Sequence, residues 1–189
     1  MKFLHLSDLH LGKRVNGFSM LEEQRFILEQ ILHLVHAEQP QGVLLAGDLF
    51  DKPTPPAEAV SLLDDFLAGL SHLGCTIFAI SGNHDSPERI AYGGRLLRHS
   101  GVHMSPVYGG SISPITLEDD LGPVDFYLLP FLKPAYLRSV MPETEIHSCQ
   151  EAVEKALEGL PVAAKRAGGA SIRCRRTGAG AGRAADRRL

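Results

Sequence analysis

Residues 42–51 read Gly-Val-Leu-Leu-Ala-Gly-Asp-Leu-Phe-Asp. The opening Gly-Val-Leu-Leu-Ala has no polar side chain and the length of a strand. A continuous apolar run, rather than an alternating one, marks a strand covered on both faces. The run stops at Gly47-Asp48, where a permissive residue lets the backbone turn and a carboxylate follows. The pattern occurs twice more. Phe3-Leu4-His5-Leu6-Ser7 leads into Asp8-Leu9-His10, and Thr76-Ile77-Phe78-Ala79-Ile80 leads into Ser81-Gly82-Asn83-His84-Asp85. Helical spacing fills the intervals. Met20, Leu21, Phe26, Ile27, Ile31, Leu34 and Val35 recur among Glu and Gln over residues 19–38, and Pro40 and Gly42 end that segment. Residues 57–72 repeat the spacing behind a rigid Pro53, Pro55, Pro56 loop, with Pro56 a candidate for the first helical turn. The first 85 residues therefore read strand–helix–strand–helix–strand, which predicts an α/β fold around a largely parallel sheet.

Further along, a helix is predicted over residues 88–99. Strands follow over 102–132, with turns at Gly109-Gly110 and Gly122-Pro123, and a helix over 149–159 ends at Gly159 and Pro161. Residues 1–161 are expected to form one domain. Residues 162–189 differ: 20 of the 28 are Ala, Gly or Arg, without apolar periodicity. This tail holds eight Lys or Arg against one acid, Asp186, whereas the preceding residues hold 11 against 21, so the net charge of -3 hides an acidic body and a basic end. The tail is not expected to form a strand or a core-facing helix. It reads as a disordered basic arm or, more simply, as the product of a shifted reading frame or truncation in a GC-rich gene.

Composition narrows the class. A hydrophobic fraction of 44 % and a charged fraction of 22 % exclude a wholly disordered or collagen-like chain. Cys75, Cys149 and Cys174 show no C-x-x-C spacing, which argues against a zinc knuckle and against a disulfide framework. No apolar run reaches the roughly 18 residues of a membrane helix, and Asp8 comes too early for a secretory segment. The expectation is a soluble, cytoplasmic protein with no membrane partner.

The three polar clusters lie at the C-terminal ends of the strands, the edge at which open α/β sheets bind ligands. Residues two apart in an extended segment face the same way, so Asp8 and His10 can address one cation. Asp48 could bridge two ions through its two oxygens, and Asn83 adds a carboxamide. A donor set of carboxylate, imidazole and carboxamide without thiolate suits Mn²⁺ or Mg²⁺, and to a lesser degree Fe or Zn. Two such ions polarise a phosphoryl oxygen and supply a hydroxide nucleophile. His84, beside Asn83, could stabilise the developing charge or protonate the leaving oxygen. Any one Asp at a strand end reads most simply as a cap or turn residue. Three such clusters in order, each after a buried strand, do not. Asp51 and Asp85 are candidates for supporting the ligands. Lys13-Arg14 could touch a phosphate but reads more simply as a solvated pair, and the remaining histidines, His5, His33, His36, His72, His99, His103 and His147, read as structural or solvated.

The order D-x-H (Asp8, His10), G-D (Gly47, Asp48) and G-N-H-D (Gly82 to Asp85) resembles the signature of the calcineurin-like metallophosphoesterases over roughly residues 1–130. The resemblance implies a metallophosphoesterase-like sandwich of mixed sheets flanked by helices, incomplete at the C-terminal end. It implies that Asp8 and His10 hold one metal, Asp48 bridges, Asn83 holds the second, and His84 is the catalytic histidine. The implied cofactor is a pair of divalent ions, Mn²⁺ by preference. The longer stretches FLHLSDLHLGK, GVLLAGDLFDKPTPP and ISGNHDSPERI are similar to the SbcD-type nuclease branch of the family. That branch implies 3′-to-5′ exonuclease action on duplex DNA and endonuclease action on hairpins or single strands, in replication, recombination and repair. Its implied partners are DNA, an SbcC-like ATPase subunit and a second copy of the chain. The family completes its metal site with a further histidine after a downstream strand and with a later G-H-x-H segment. Neither is present here, so the site is expected to be incomplete. Another phosphoesterase of the same family, or an inactive fragment, is the alternative.

Overall fold

In a computed structural model, the described residues are 1–160 and 171–176, the latter as backbone. The chain runs β1 (Phe3–Leu6), β2 (Arg14–Val15), β3 (Phe18–Ser19), α1 (Leu21–Glu38), β4 (Gly42–Ala46), α2 (Ala57–His72), β5 (Thr76–Ile80), α3 (Pro87–Ala91), α4 (Gly94–Leu97), β6 (Val102–Met104), β7 (Ile115–Asp119), β8 (Gly122–Leu129), α5 (Pro134–Val140), α6 (Cys149–Leu157) and β9 (Ser171–Arg176). β1, β4, β5 and β6 form one sheet in the order β1-β4-β5-β6, every neighbour parallel. β7, β8 and β9 form a second, antiparallel sheet, and β2 and β3 a short hairpin. The fold is an α/β sandwich of a parallel and an antiparallel sheet flanked by helices.

Side-chain alternation along the strands builds the layers. From β4 and β5, Val43, Leu45, Ile77 and Ala79 pack with Leu28 and Val35 of α1 and Leu62, Phe66 and Leu70 of α2. Their neighbours Leu44, Phe78 and Ile80 face the other way, onto Val124, Phe126 and Leu128 of β8. β8 alternates in turn, and Tyr127 and Leu129 pack with Leu137 of α5 and Ala152, Val153 and Leu157 of α6. The order is helix, sheet, sheet, helix. The apolar run at 42–46 is thus explained: one sheet face meets helices and the other meets a second sheet. Phe78 and Phe126 stack across the sheet interface with ring centroids 4.6 Å apart and planes 14° apart, and Phe3 approaches Phe126 at 5.1 Å.

Four local expectations change. The helix predicted over 88–99 is broken into α3, α4 and a 3₁₀ turn at Arg98–Ser100, because Gly93 adopts φ 72 and interrupts it. Pro56 caps α2 from extended backbone rather than entering its first turn. The turn expected at Gly122-Pro123 sits just earlier, and Gly122, at φ 105, already begins β8. In the basic tail, Ser171–Arg176 forms β9 and pairs antiparallel with the whole of Val124–Leu129. Ladder hydrogen bonds come from the backbone and need no apolar periodicity, so composition could not exclude this strand. The rest of the tail lies outside the described residues. No helix among the described residues is long and apolar enough to cross a membrane.

Phe126 is fully buried between the two sheets. Phe126→Ala is expected to lower the unfolding free energy by about 3–5 kcal/mol in urea denaturation. A loss below about 1 kcal/mol would show that the two sheets do not depend on each other.

Candidate metal centre

The three polar clusters converge because parallel strands all end at the same edge. β1 and β4 are neighbours, and their hydrogen bonding continues past the strand ends. Asp8 N–H donates to the Gly47 carbonyl at 3.1 Å, His10 N–H to the Asp48 carbonyl at 2.9 Å, and Leu11 N–H to the Leu49 carbonyl at 2.9 Å. The loop after β5 joins them through side chains. His84 N–H donates to Asp48 Oδ1 at 2.9 Å. The buried Asp85 carboxylate accepts from Leu49 N–H at 3.1 Å, Phe50 N–H at 2.9 Å and Gly82 N–H at 2.9 Å. Burial pushes the Asp85 carboxyl above its ordinary range, aided by the nearby Asp48 charge and opposed by those three backbone donors.

The backbone here is strained. Asp8, His10 and Asp48 sit at φ 57, 44 and 49, in the left-handed region that non-glycine residues seldom occupy. Each costs on the order of 1 kcal/mol or more. Gly47, at φ 93, precedes one of them. Gly82 lies so close to Asp48 that a Cβ there would stand 2.1 Å from Oδ1 and 2.3 Å from the amide nitrogen. Asp8 and His10 are thus not extended, so the strand alternation expected from sequence is not what sets their directions.

His10 Nε2 stands 3.8 Å from Asp8 Oδ1 and 3.8 Å from Asp48 Oδ2. These gaps exceed a hydrogen bond. Donor atoms of His10, Asp48 and His84 all lie within 4.8 Å of one another. Ligand atoms sharing a cation at about 2.1 Å stand roughly 3–4 Å apart, so a small inward shift seats an ion. Among the described residues, His10 Nδ1 is buried without a hydrogen-bond partner, and Asp51 Oδ1 faces it at 3.9 Å. These residues fit a divalent metal centre. His84 donates Nδ1–H to the Asp51 carbonyl at 2.9 Å, since a carbonyl can only accept. Its Nε2 is therefore the ring nitrogen left for chemistry. The His10 and His84 rings meet edge to face at 4.8 Å.

Of the residues expected from sequence, the structure brings His10, Asp48 and His84 together, and Asp8 stands beside His10. Asn83 is exposed on the loop that carries His84. Asp51 Oδ1 lies 3.9 Å from His10 Nδ1, and the Asp85 carboxylate accepts from the Leu49, Phe50 and Gly82 amides. Arg14, expected to be solvated, bonds the Gly17 carbonyl within the β2–β3 hairpin. The sequence reading does not reach Gln24, whose amide bonds the loop bearing His10. A glutamine on the polar face of an amphipathic helix carries no signal of such a contact.

Asp85→Asn replaces two accepting oxygens by one, so at least one of three buried N–H groups loses its partner. The expected cost is about 1–3 kcal/mol in unfolding free energy by urea titration. Unchanged stability would mean that the two loops do not depend on this carboxylate.

Comparison with known proteins agrees with the geometry. Residues 1–135 match the family model of the calcineurin-like phosphoesterases. The chain is 35 % identical over 161 residues to the SbcD subunit of nuclease SbcCD from Staphylococcus epidermidis, covering 85 % of this chain and 42 % of that protein. It is 33 % identical over 158 residues to the protein of the same name from Staphylococcus saprophyticus subsp. saprophyticus, covering 83 % of this chain and 41 % of the relative. The chain thus spans about two-fifths of the length of these curated relatives. With a matching family model over most of its length and the strand-end donors arranged as described, the chain belongs to the calcineurin-like phosphoesterase family.

Proposed function

We propose that the chain carries the phosphodiester-cleaving part of a DNA nuclease subunit. The observation that carries the reading is the cluster of His10, Asp48 and His84 at the sheet edge, with Asp8 alongside. The similarity to the SbcD subunit of nuclease SbcCD supports DNA as substrate and an SbcC-like ATPase as partner. Duplex ends attacked 3′ to 5′, hairpins and single strands are the proposed substrates, and replication, recombination and repair the setting, within the cytoplasm. A second copy of the chain is the other proposed partner. Its support is an apolar groove of about 510 Å³ lined by Val60, Leu63, Leu67, Ile90, Met104 and the exposed Tyr92.

Asp8 and His10 would hold one divalent ion, Asp48 would bridge, and Asn83 would hold the second, with Mn²⁺ favoured by the oxygen and imidazole donors. When bound, such a pair of ions polarises the phosphoryl group and lowers the pKa of water. Hydrolysis forms one P–O bond from water and breaks the bond to the leaving oxygen, which must gain a proton. His84 would deliver that proton from Nε2 as the imidazolium, keeping Nδ1–H on the Asp51 carbonyl, and the proton released by the attacking water would restore it. The chain carries no histidine after His147. Four proposed ligands are few for two ions, and affinity follows ligand number and a fixed surrounding shell.

Titration of the 189-residue chain with Mn²⁺ by calorimetry, beside cleavage of a labelled hairpin DNA, tests the reading. Weak binding and slow cleavage are expected. Asp48→Ala should abolish both, because each ion loses a ligand. His84→Ala should leave Mn²⁺ binding in place and slow cleavage by about 10²–10⁴-fold. Loss of metal binding in His84→Ala would make that residue a ligand instead of the proton donor. Binding and cleavage untouched by Asp48→Ala would overturn the proposal.

A further inference from the structure

We infer that Gln24 is a positioning residue for the metal centre: its amide holds the His10 loop in the strained conformation that turns the imidazole toward Asp48. The inference rests on the metal-dependent reading above. Gln24 lies in the first turns of α1, half-buried, and does not itself belong to the donor cluster. Its Nε2 donates to the Leu9 carbonyl at 3.2 Å and to the His10 carbonyl at 2.8 Å. Its Oε1 accepts from Gly12 N–H at 3.0 Å. One side chain thus bonds the residues before, at and after the turn in which His10 adopts φ 44.

The arrangement is two-sided. The His10 N–H is held from β4 by the Asp48 carbonyl, and Leu11 is held by Leu49. Sheet-like bonds of this kind fix where the segment lies, and Lys13 N–H donates to the His10 carbonyl at 3.1 Å across the turn. Gln24 adds a second donor to the His10 carbonyl and a donor to the Leu9 carbonyl, and so ties the turn to α1. On the far side, Gly12 is pressed against Pro56 and Ala59 of the α2 entry, where a Cβ would stand 3.0 to 3.1 Å from them. The loop is thereby gripped between α1 and α2, with α1 supplying the hydrogen bonds and α2 the wall. The task needs two donors and an acceptor on one side chain at this reach. Glutamate lacks the donors, leucine lacks both functions, and asparagine is one methylene short.

A residue that merely stabilised the fold would lose stability everywhere when replaced. A positioning residue changes the His10 loop and the centre it serves. The test uses the full chain with Gln24→Leu, which removes all three bonds, and Gln24→Glu, which keeps the acceptor for Gly12. Two measurements are made: Mn²⁺ affinity by calorimetry, and amide hydrogen exchange of the metal-free protein read segment by segment. Gln24→Leu is expected to weaken Mn²⁺ binding about 10–100-fold. Exchange should rise in residues 8–13 while β4 and β5 keep their protection. Gln24→Glu should raise exchange in the same segment and still fold if the leucine variant does not. Unchanged exchange in residues 8–13 overturns the inference, and so does a loss of protection spread evenly over the sheet. If the parent chain binds no Mn²⁺ at all, the metal reading fails by itself, and the exchange data still decide whether Gln24 holds the loop.

Discussion

The Asp85 carboxylate accepts three backbone N–H groups, from Leu49, Phe50 and Gly82, and the geometry of the centre follows from that. β4 and β5 are paired in the sheet, but their ladder ends at Ala46 and Ile80. Beyond those residues, a parallel sheet offers the two loops nothing to hold them together. A buried carboxylate with three donors does so, against the desolvation that raises its pKa. Once the loops are joined, Gly82 can lie against Asp48 and the His84 N–H can reach Asp48 Oδ1. Asp48 and His84 come together through bonds that neither makes with a metal.

The sheet beneath imposes the second constraint. A parallel sheet must be covered on both faces, and this one meets two kinds of cover. Alternate residues of β4 and β5 face the α1–α2 layer or the second sheet. The second sheet is itself centred on β8, which carries apolar side chains on both faces and binds α5 and α6 behind it. β8 therefore needs a partner on each edge. β7 supplies one and the backbone of β9 supplies the other. A basic segment, Ser-Ile-Arg-Cys-Arg-Arg, can serve in that place because the ladder asks only for N–H and C=O groups.

Backbone strain links the sheet to the chemistry. A strand sends neighbouring side chains to opposite faces, which cannot gather ligands around one point. Three residues in the left-handed region break that alternation at the ends of β1 and β4. The cost is spread over the bonds that tie Asp8 to Gly47, His10 to Asp48 and Gln24 to the His10 loop. Strain of this kind persists only where the surroundings over-determine it. The residues that bear it are among those whose chemistry suits a cation.

Sequence by itself determined the three strand-and-loop units, the two long helices and the identities of Asp8, His10, Asp48, Asn83 and His84 as the polar groups at one sheet edge. Those features are local: apolar run, glycine, carboxylate or imidazole, each readable within about ten residues. Only the tertiary structure decided that Gly93 would break a helix, that Ser171–Arg176 would pair with β8, and that Gln24 would bond the His10 loop. It also decided the role of Asp85, whose three donors come from residues up to 36 positions away. Such contacts depend on which backbone groups are left without partners after the sheet has formed. That is settled by packing across the chain, and no window of sequence contains it.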